Sequence, residues 1–148
     1  MPRDQLAATG WTHFDHAADM GIRATGPTLA DAFVQAAFGL TAIVTSREVR
    51  SLVSVTVRCD APDPELLLVD WLNALIFEMA TRRLLFGRFE VVIEPADDGL
   101  ALRATAWGER VDRSRHEPAV EPKGATYTAL DVHREADGSW VACCVVDV

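Results

Sequence analysis

Residues 66–80 constrain the fold more than any other stretch, because they form a helix-length segment that is apolar on nearly every side. The preceding residues, 63–65, are Asp-Pro-Glu, and a capping aspartate followed by proline is a strong helix start signal. The polar residues Asp70, Asn73 and Glu78 fall within a sector of about 140° when each residue advances by about 100°. Most of the helix surface must therefore be buried, and the polar sector is expected to face solvent, with a contact edge as the alternative.

A second helix is predicted at about residues 28–44. Thr28 is placed to cap its N-terminus, and Asp31 lies where a negative charge suits the exposed backbone amides. Apolar residues then recur at helical spacing as far as Val44, which gives this helix one apolar face.

Most of the remaining chain has the pattern of short strands. Apolar and polar residues alternate at 52–59, which predicts a half-buried strand, and two short extended segments surround a predicted corner at 17–20. Two Asp-Gly pairs, at 98–99 and 137–138, predict two hairpins. The charged segment 108–125 is expected to be a surface loop. Two helices and about seven strands predict an α+β two-layer sandwich, in which both helices pack on one mixed or antiparallel sheet.

The length of 148 residues is that of one domain, and residues 1–10 are expected to be flexible. With 14 basic and 22 acidic residues the net charge is −8, which disfavours non-specific binding to nucleic acid or to an anionic membrane. The three cysteines lack metal-ligand or redox spacing, and no signal peptide or transmembrane run is recognisable. We therefore expect a cytoplasmic protein with no direct nucleic-acid contact.

The groups able to bind metal or transfer protons are concentrated near the N-terminus, in the sequence THFDHAADMGIR. His13, Asp15, His16 and Asp19 occur there within seven residues, and Gly21 permits a tight backbone path. A purely structural interpretation is open as well, with His16 bonded to backbone and Asp19 forming a turn. The usual catalytic motifs, such as a Gly-x-Ser-x-Gly elbow or a phosphate-binding glycine loop, do not occur in the sequence.

Two further carboxylates are expected at the other end of the chain. Asp147 follows a run of apolar residues at 141–146, so an ordered strand would present both its side chain and the terminal carboxylate of Val148. Together with Asp19 these groups would make an oxygen-only cluster suited to a hard divalent cation such as Ca²⁺ or Mg²⁺. The alternative is a frayed tail with solvated charges.

Several motifs occur in a fixed order from about residue 12 to the end of the chain. They are His16-Ala17-Ala18-Asp19-Met20-Gly21-Ile22, TLADAF at 28–33, LLVDWLN at 67–73, Gly108-Glu109 with Asp112 and His116, Lys123 to Tyr127, and Asp147-Val148. Together these motifs resemble the archease family. The sequence departs from the family pattern at Ala17, where threonine is usual, at Pro122, and at Thr128, where histidine is usual.

The resemblance implies a protein that activates an RtcB-type RNA ligase in tRNA splicing and RNA repair and is not itself an enzyme. It implies that the protein promotes guanylylation and multiple turnover of the ligase. A divalent metal would be bound by Asp19, Asp147 and Val148, with Ca²⁺ the expected ion and Mg²⁺ or Mn²⁺ as alternatives.

Four other residues are candidate partner contacts or neighbours of the metal ligands: His16, Asp112, His116 and Lys123. Two other functional classes stay open. One is a metal-dependent enzyme that uses Asp19, His16 and Asp147 on a small substrate. The other is a general chaperone for RNA- or DNA-modifying proteins.

Overall fold

The computed structural model describes residues 9–148, so most of the segment predicted to be flexible lies outside the described residues. In chain order the elements are β1 (Gly10–His16), β2 (Asp19–Gly26), α1 (Leu29–Val44), β3 (Val53–Ala61), α2 (Pro64–Arg82), β4 (Leu84–Ala96), β5 (Gly99–Arg110), α3 (Arg113–His116), β6 (Gly124–Ala125), β7 (Asp131–Arg134) and β8 (Trp140–Asp147). Both predicted helices and both predicted Asp-Gly hairpins, β4–β5 and β7–β8, are confirmed.

The strands form two antiparallel sheets. The five-stranded sheet has the order β1-β2-β8-β6, with β7 also paired to β8, and the three-stranded sheet has the order β3-β5-β4. The α+β class and the antiparallel pairing are as predicted, but the strands divide between two sheets where one was expected. The reason is that β3 pairs with β5 while β2 pairs with β8, and no ladder links the two sets.

The two long helices join the sheets around a shared hydrophobic core. Helix α1 packs against β2 of the larger sheet and β4 of the smaller, while α2 packs against β3 and β6. The indole N–H of Trp71 in α2 donates to the carbonyl of Phe33 in α1 at 3.0 Å, and both side chains are fully buried. The predicted burial of α2 is thus confirmed, with Asp70 and Asn73 of its polar sector exposed.

Both helices begin at the capping residues expected from the sequence. The Thr28 hydroxyl accepts from the Asp31 amide at 3.1 Å, and the Asp63 carboxylate accepts from the Leu66 amide at 2.9 Å. Helix α2 ends at Arg83, which adopts a left-handed backbone conformation with φ of 56°. Among residues 9–148, no helix combines the length and the hydrophobicity needed to cross a membrane.

All three cysteines are buried and unpaired, in keeping with a role in packing. Burial raises the pKa of the Cys59 thiol to about 11 and that of Cys144 to about 11, so both remain neutral at physiological pH.

Candidate functional site

The hairpin between β1 and β2 positions Asp19. The turn consists of Ala17 and Ala18 alone, and Asp19, as the first residue of β2, pairs with His16 at the end of β1. The corner predicted at 17–20 is therefore shorter than expected. Asp19, for which a role in forming a turn was one interpretation, has an extended backbone instead. Because directly paired residues of an antiparallel ladder share a face, the side chains of His16 and Asp19 lie on the same side of the sheet.

Gly21 has a packing role rather than the predicted role in a tight turn. A Cβ atom at this position would lie 2.2 Å from ring carbons of Phe14, its partner in the ladder between β1 and β2. Only glycine leaves room for that ring in its present position.

The ladder between β2 and β8 brings the two ends of the chain together. It runs from Gly26 paired with Trp140 to Met20 paired with Val146, so Asp19 and Asp147 are the next residues on each strand. The amide of Val148 donates to Oδ1 of Asp19 at 3.4 Å. Asp147 itself belongs to β8, so the structure shows an ordered strand end and not a frayed tail. The three predicted metal ligands are thus neighbours.

Residues 123–125 close one side of this junction. The amide of Lys123 donates to the carbonyl of Asp147 at 2.8 Å, and Gly124 pairs with Asp147 in the short ladder between β6 and β8. Asn73 of α2 fixes this segment, since its side-chain oxygen accepts from the Ala125 amide at 2.8 Å. A solvated face was the favoured interpretation of Asn73 from the sequence and a contact edge the alternative, because nothing local to α2 indicates that β6 lies beside it.

His116, a predicted partner-contact candidate, lies in the interior with no exposed surface. Its Nδ1 accepts from the Asp112 amide at 2.8 Å, which requires the proton to be on Nε2, 3.0 Å from the Glu109 carboxylate. Asp112 caps the short helix α3, accepting from the amides of Ser114 at 3.1 Å and Arg115 at 3.2 Å. The segment expected to be a surface loop therefore includes a buried polar network.

Glu109 is the centre of that network and is 5% exposed. It accepts from the Arg50 amide at 2.8 Å, from the His116 ring and from the Arg115 guanidinium. Burial alone would raise the pKa of this carboxyl, but the bonds from Arg50, Arg115 and His116 outweigh it and lower the pKa to about 2. Hydrogen bonds from the Ser114 hydroxyl and the Arg115 amide likewise lower the pKa of Asp112.

The predicted site residues thus separate into two groups. Asp19, Asp147, Val148 and Lys123 meet at the junction of β2, β6 and β8, and the exposed His16 lies beside Asp19. Asp112 and His116 instead stabilise the fold of the segment that follows β5, and the His116 ring is not available at the surface.

The donor chemistry of the junction fits a hard cation. Asp19, Asp147 and the α-carboxylate of Val148 offer only oxygen atoms, the ligand type that Ca²⁺ and Mg²⁺ prefer. Within residues 9–148, no three His, Cys, Asp or Glu side chains come together as a metal-binding group. Backbone oxygens, such as that of Val148, would therefore have to complete a site formed by the two aspartates.

Comparison with known proteins identifies the family. The model of the Archease protein family matches residues 11–148. The chain is 38% identical to protein archease of Pyrococcus furiosus over 139 residues, which cover 93% of this chain and 98% of that protein. It is 36% identical to protein archease of Aeropyrum pernix over 141 residues, covering 94% and 97%.

A solved structure has the same fold. The solution structure of Methanobacterium thermoautotrophicum protein 1598 superposes with a TM-score of 0.82 at 33% sequence identity, covering 94% of this chain and 99% of that chain. The order of motifs, the fold and the relatives agree, and the chain belongs to the archease family.

Proposed function

We propose that this protein is a non-catalytic activator of an RtcB-type RNA ligase, acting in tRNA splicing and RNA repair. It would promote guanylylation of the ligase and multiple turnover through an acidic site formed by Asp19, Asp147 and Val148. The observation that supports this proposal best is the hydrogen bond from Val148 to Asp19, which joins residues 129 positions apart at a surface junction of carboxylates.

Asp19, Asp147 and the α-carboxylate of Val148 are the groups that would hold a divalent metal, with Ca²⁺ the expected ion. When bound, the ion supplies positive charge that offsets the repulsion among these carboxylates. The chain's own contribution is to bring these three residues to one junction before the ion arrives. The β2–β8 ladder fixes the two strand ends, and the bond from Ala125 to Asn73 fixes the adjoining segment.

Charge favours contact with a basic surface on the partner. The net charge of −8 and the carboxylate junction would steer the protein towards a nucleotide- and metal-binding site of opposite charge. Lys123, whose amide is bonded to Asp147, and His16, beside Asp19, are the neighbours placed to contact the ligase.

A turnover assay of the cognate ligase tests the proposal. Wild-type protein should convert single-turnover ligation to multiple turnover, and Asp19→Asn, Asp147→Asn or removal of Val148 should reduce the stimulation at least about tenfold. Asp60→Asn is the matched control, because Asp60 is an exposed aspartate on β3 of the other sheet. Full stimulation by folded Asp19 and Asp147 variants would show that the site assignment is wrong.

Two control reactions separate the alternatives. Steady turnover of GTP by the pure protein with metal and no ligase would indicate an enzyme. Binding to several unrelated RNA-modifying proteins, with no effect on ligase guanylylation, would indicate a general chaperone.

A further inference from the structure

An open cleft of about 660 Å³ lies between the C-terminal end of α2, the start of β4 and the segment that follows β5. Asp19, Asp147 and Val148 are not among its lining residues, so the cleft is separate from the acidic junction. Its volume lies within the range typical of small-molecule sites, roughly 300–1,000 Å³.

The cleft has an apolar floor and an apolar rim. Ile76, Met79 and Leu85 line the floor and are nearly fully buried. Val111 and Val120 also line the cleft and remain 37% and 38% exposed. Two half-exposed valines facing a cleft are a feature that an apolar ligand would cover.

Three arginines, Arg83, Arg110 and Arg113, also line the cleft. Within residues 9–148 none of the three forms an ion pair, although six other arginines do. Glu121 is the single acidic residue of the lining, which leaves an excess of positive charge on a chain whose net charge is −8. The guanidinium group is also the side chain best suited to bidentate binding of phosphate or carboxylate.

The walls of the cleft are held in place by hydrogen bonds. The Val111 amide donates to the Arg83 carbonyl at 2.9 Å, and the Ala119 amide donates to the Val44 carbonyl at 2.8 Å. Between these two anchors, the buried network of Glu109 and His116 fixes α3. The cleft is therefore formed before any ligand arrives, which lowers the entropic cost of binding.

We propose that this cleft binds a small organic anion, with a phosphate or carboxylate group on an apolar body. The arginines would pair with the anionic group, and the apolar body would lie against Met79, Leu85 and Val120. This site shares no lining residue with the acidic junction, although Pro122 of the cleft directly precedes Lys123, and the inference does not rest on the proposed ligase activation.

Calorimetric titration of the full chain tests the inference with simple probes. 1-Naphthyl phosphate and 1-naphthoate present the two anionic groups on one apolar body, inorganic phosphate lacks the body, and 1-naphthalenemethanol lacks the charge. We expect one-to-one saturable binding of one or both aryl anions, at least about tenfold tighter than either partial probe. The tighter of the two aryl anions identifies the preferred anionic group.

Variants locate the site. Replacing both Arg110→Gln and Arg113→Gln should weaken aryl-anion binding at least about tenfold, whereas Arg58→Gln, on the three-stranded sheet, should leave it unchanged. Val120→Trp is the second variant, for use if the double arginine variant does not fold. Because Val120 is exposed, the larger side chain should block the cleft without disturbing the core.

Three results would overturn the inference. The first is no binding of either aryl anion at millimolar concentration. The second is binding by the cleft variants as tight as that by the wild type. The third is binding of inorganic phosphate as tight as that of the aryl anions. Loss of ligase stimulation in the arginine variants, when the wild type binds neither aryl anion, would instead assign the cleft to a protein partner.

Discussion

Glu109 shows how a single charged residue is accommodated in the interior of this protein. Its carboxylate is nearly inaccessible, yet it accepts hydrogen bonds from a backbone amide, a guanidinium and an imidazole. Breaking such a buried ionic arrangement by removing one partner is strongly destabilising, by about 3–5 kcal/mol.

We expect Glu109→Gln to lower the free energy of unfolding by about 3 kcal/mol at pH 7, because Arg115 would lose its ionic partner. The pKa of Glu109 is lowered from 4.5 to about 2 in the folded state. Its stabilisation is therefore fully present above about pH 4.5 and is lost as the pH falls towards 2.

Urea unfolding at pH 7, 4 and 3 measures this effect, and the difference between wild type and variant should shrink at the lower pH values. Glu94→Gln, which removes an exposed partner of Arg103, is the control and should cost less than about 1 kcal/mol. A difference that stays constant down to pH 3 would contradict the assignment of the lowered pKa to Glu109.

Residues whose roles depend on how a short segment folds back on itself were the least predictable from the sequence. His116 looked like a surface histidine because its neighbours are charged, whereas its burial depends on Glu109 and on the packing of α3. Gly21 looked like a turn residue, whereas its requirement comes from the ring of Phe14 across the ladder. In each case the decisive contact is to a side chain seven residues away, which no residue pattern identifies.

At the scale of elements, local signals predicted most of the structure. Capping residues defined both long helices, and the Asp-Gly pairs defined two hairpins, because these signals act within a few residues. The division into two sheets was not predictable, since the pairing of β2 with β8 and of β3 with β5 joins distant segments. The first strand of the second hairpin, β7, begins only at Asp131, because the residues before it form a turn.

The turn between β1 and β2 contains a backbone conformation whose energetic cost can be measured. Ala17 adopts a left-handed conformation with φ of 54°, which costs roughly 1 kcal/mol for a residue with a Cβ atom. We expect Ala17→Gly to raise the free energy of unfolding by up to about 1 kcal/mol, because glycine adopts this conformation without strain.

The control for this change is the adjacent turn residue. Ala18 is also exposed but does not have a positive φ, so Ala18→Gly should destabilise the protein slightly through added freedom of the unfolded chain. Urea unfolding midpoints of the two variants give the comparison. If Ala17→Gly destabilised the protein as much as Ala18→Gly, the backbone at Ala17 would not be strained.

At the scale of the whole molecule, the candidate site depends on the two ends of the chain meeting. From the sequence, Asp19, Asp147 and Val148 were candidates for one cluster of oxygen ligands. The β2–β8 ladder places these residues together. Lys123, a neighbour of the ligands already expected from the sequence, lies beside β6, whereas the bond between Asn73 and β6 is a contact that only the fold reveals. A single bound cation at this junction would hold the N-terminal hairpin, β8 and β6 to one another.

Calcium titration by isothermal calorimetry tests this account most directly. We expect one site per chain in the wild type, binding at least about tenfold weaker in Asp19→Asn and in Asp147→Asn, and unchanged binding in Asp60→Asn. Each tenfold change corresponds to about 1.4 kcal/mol of binding free energy. The metal site would be contradicted if the wild type bound none of calcium, magnesium and manganese. It would also be contradicted if both aspartate variants bound calcium with the affinity of the wild type.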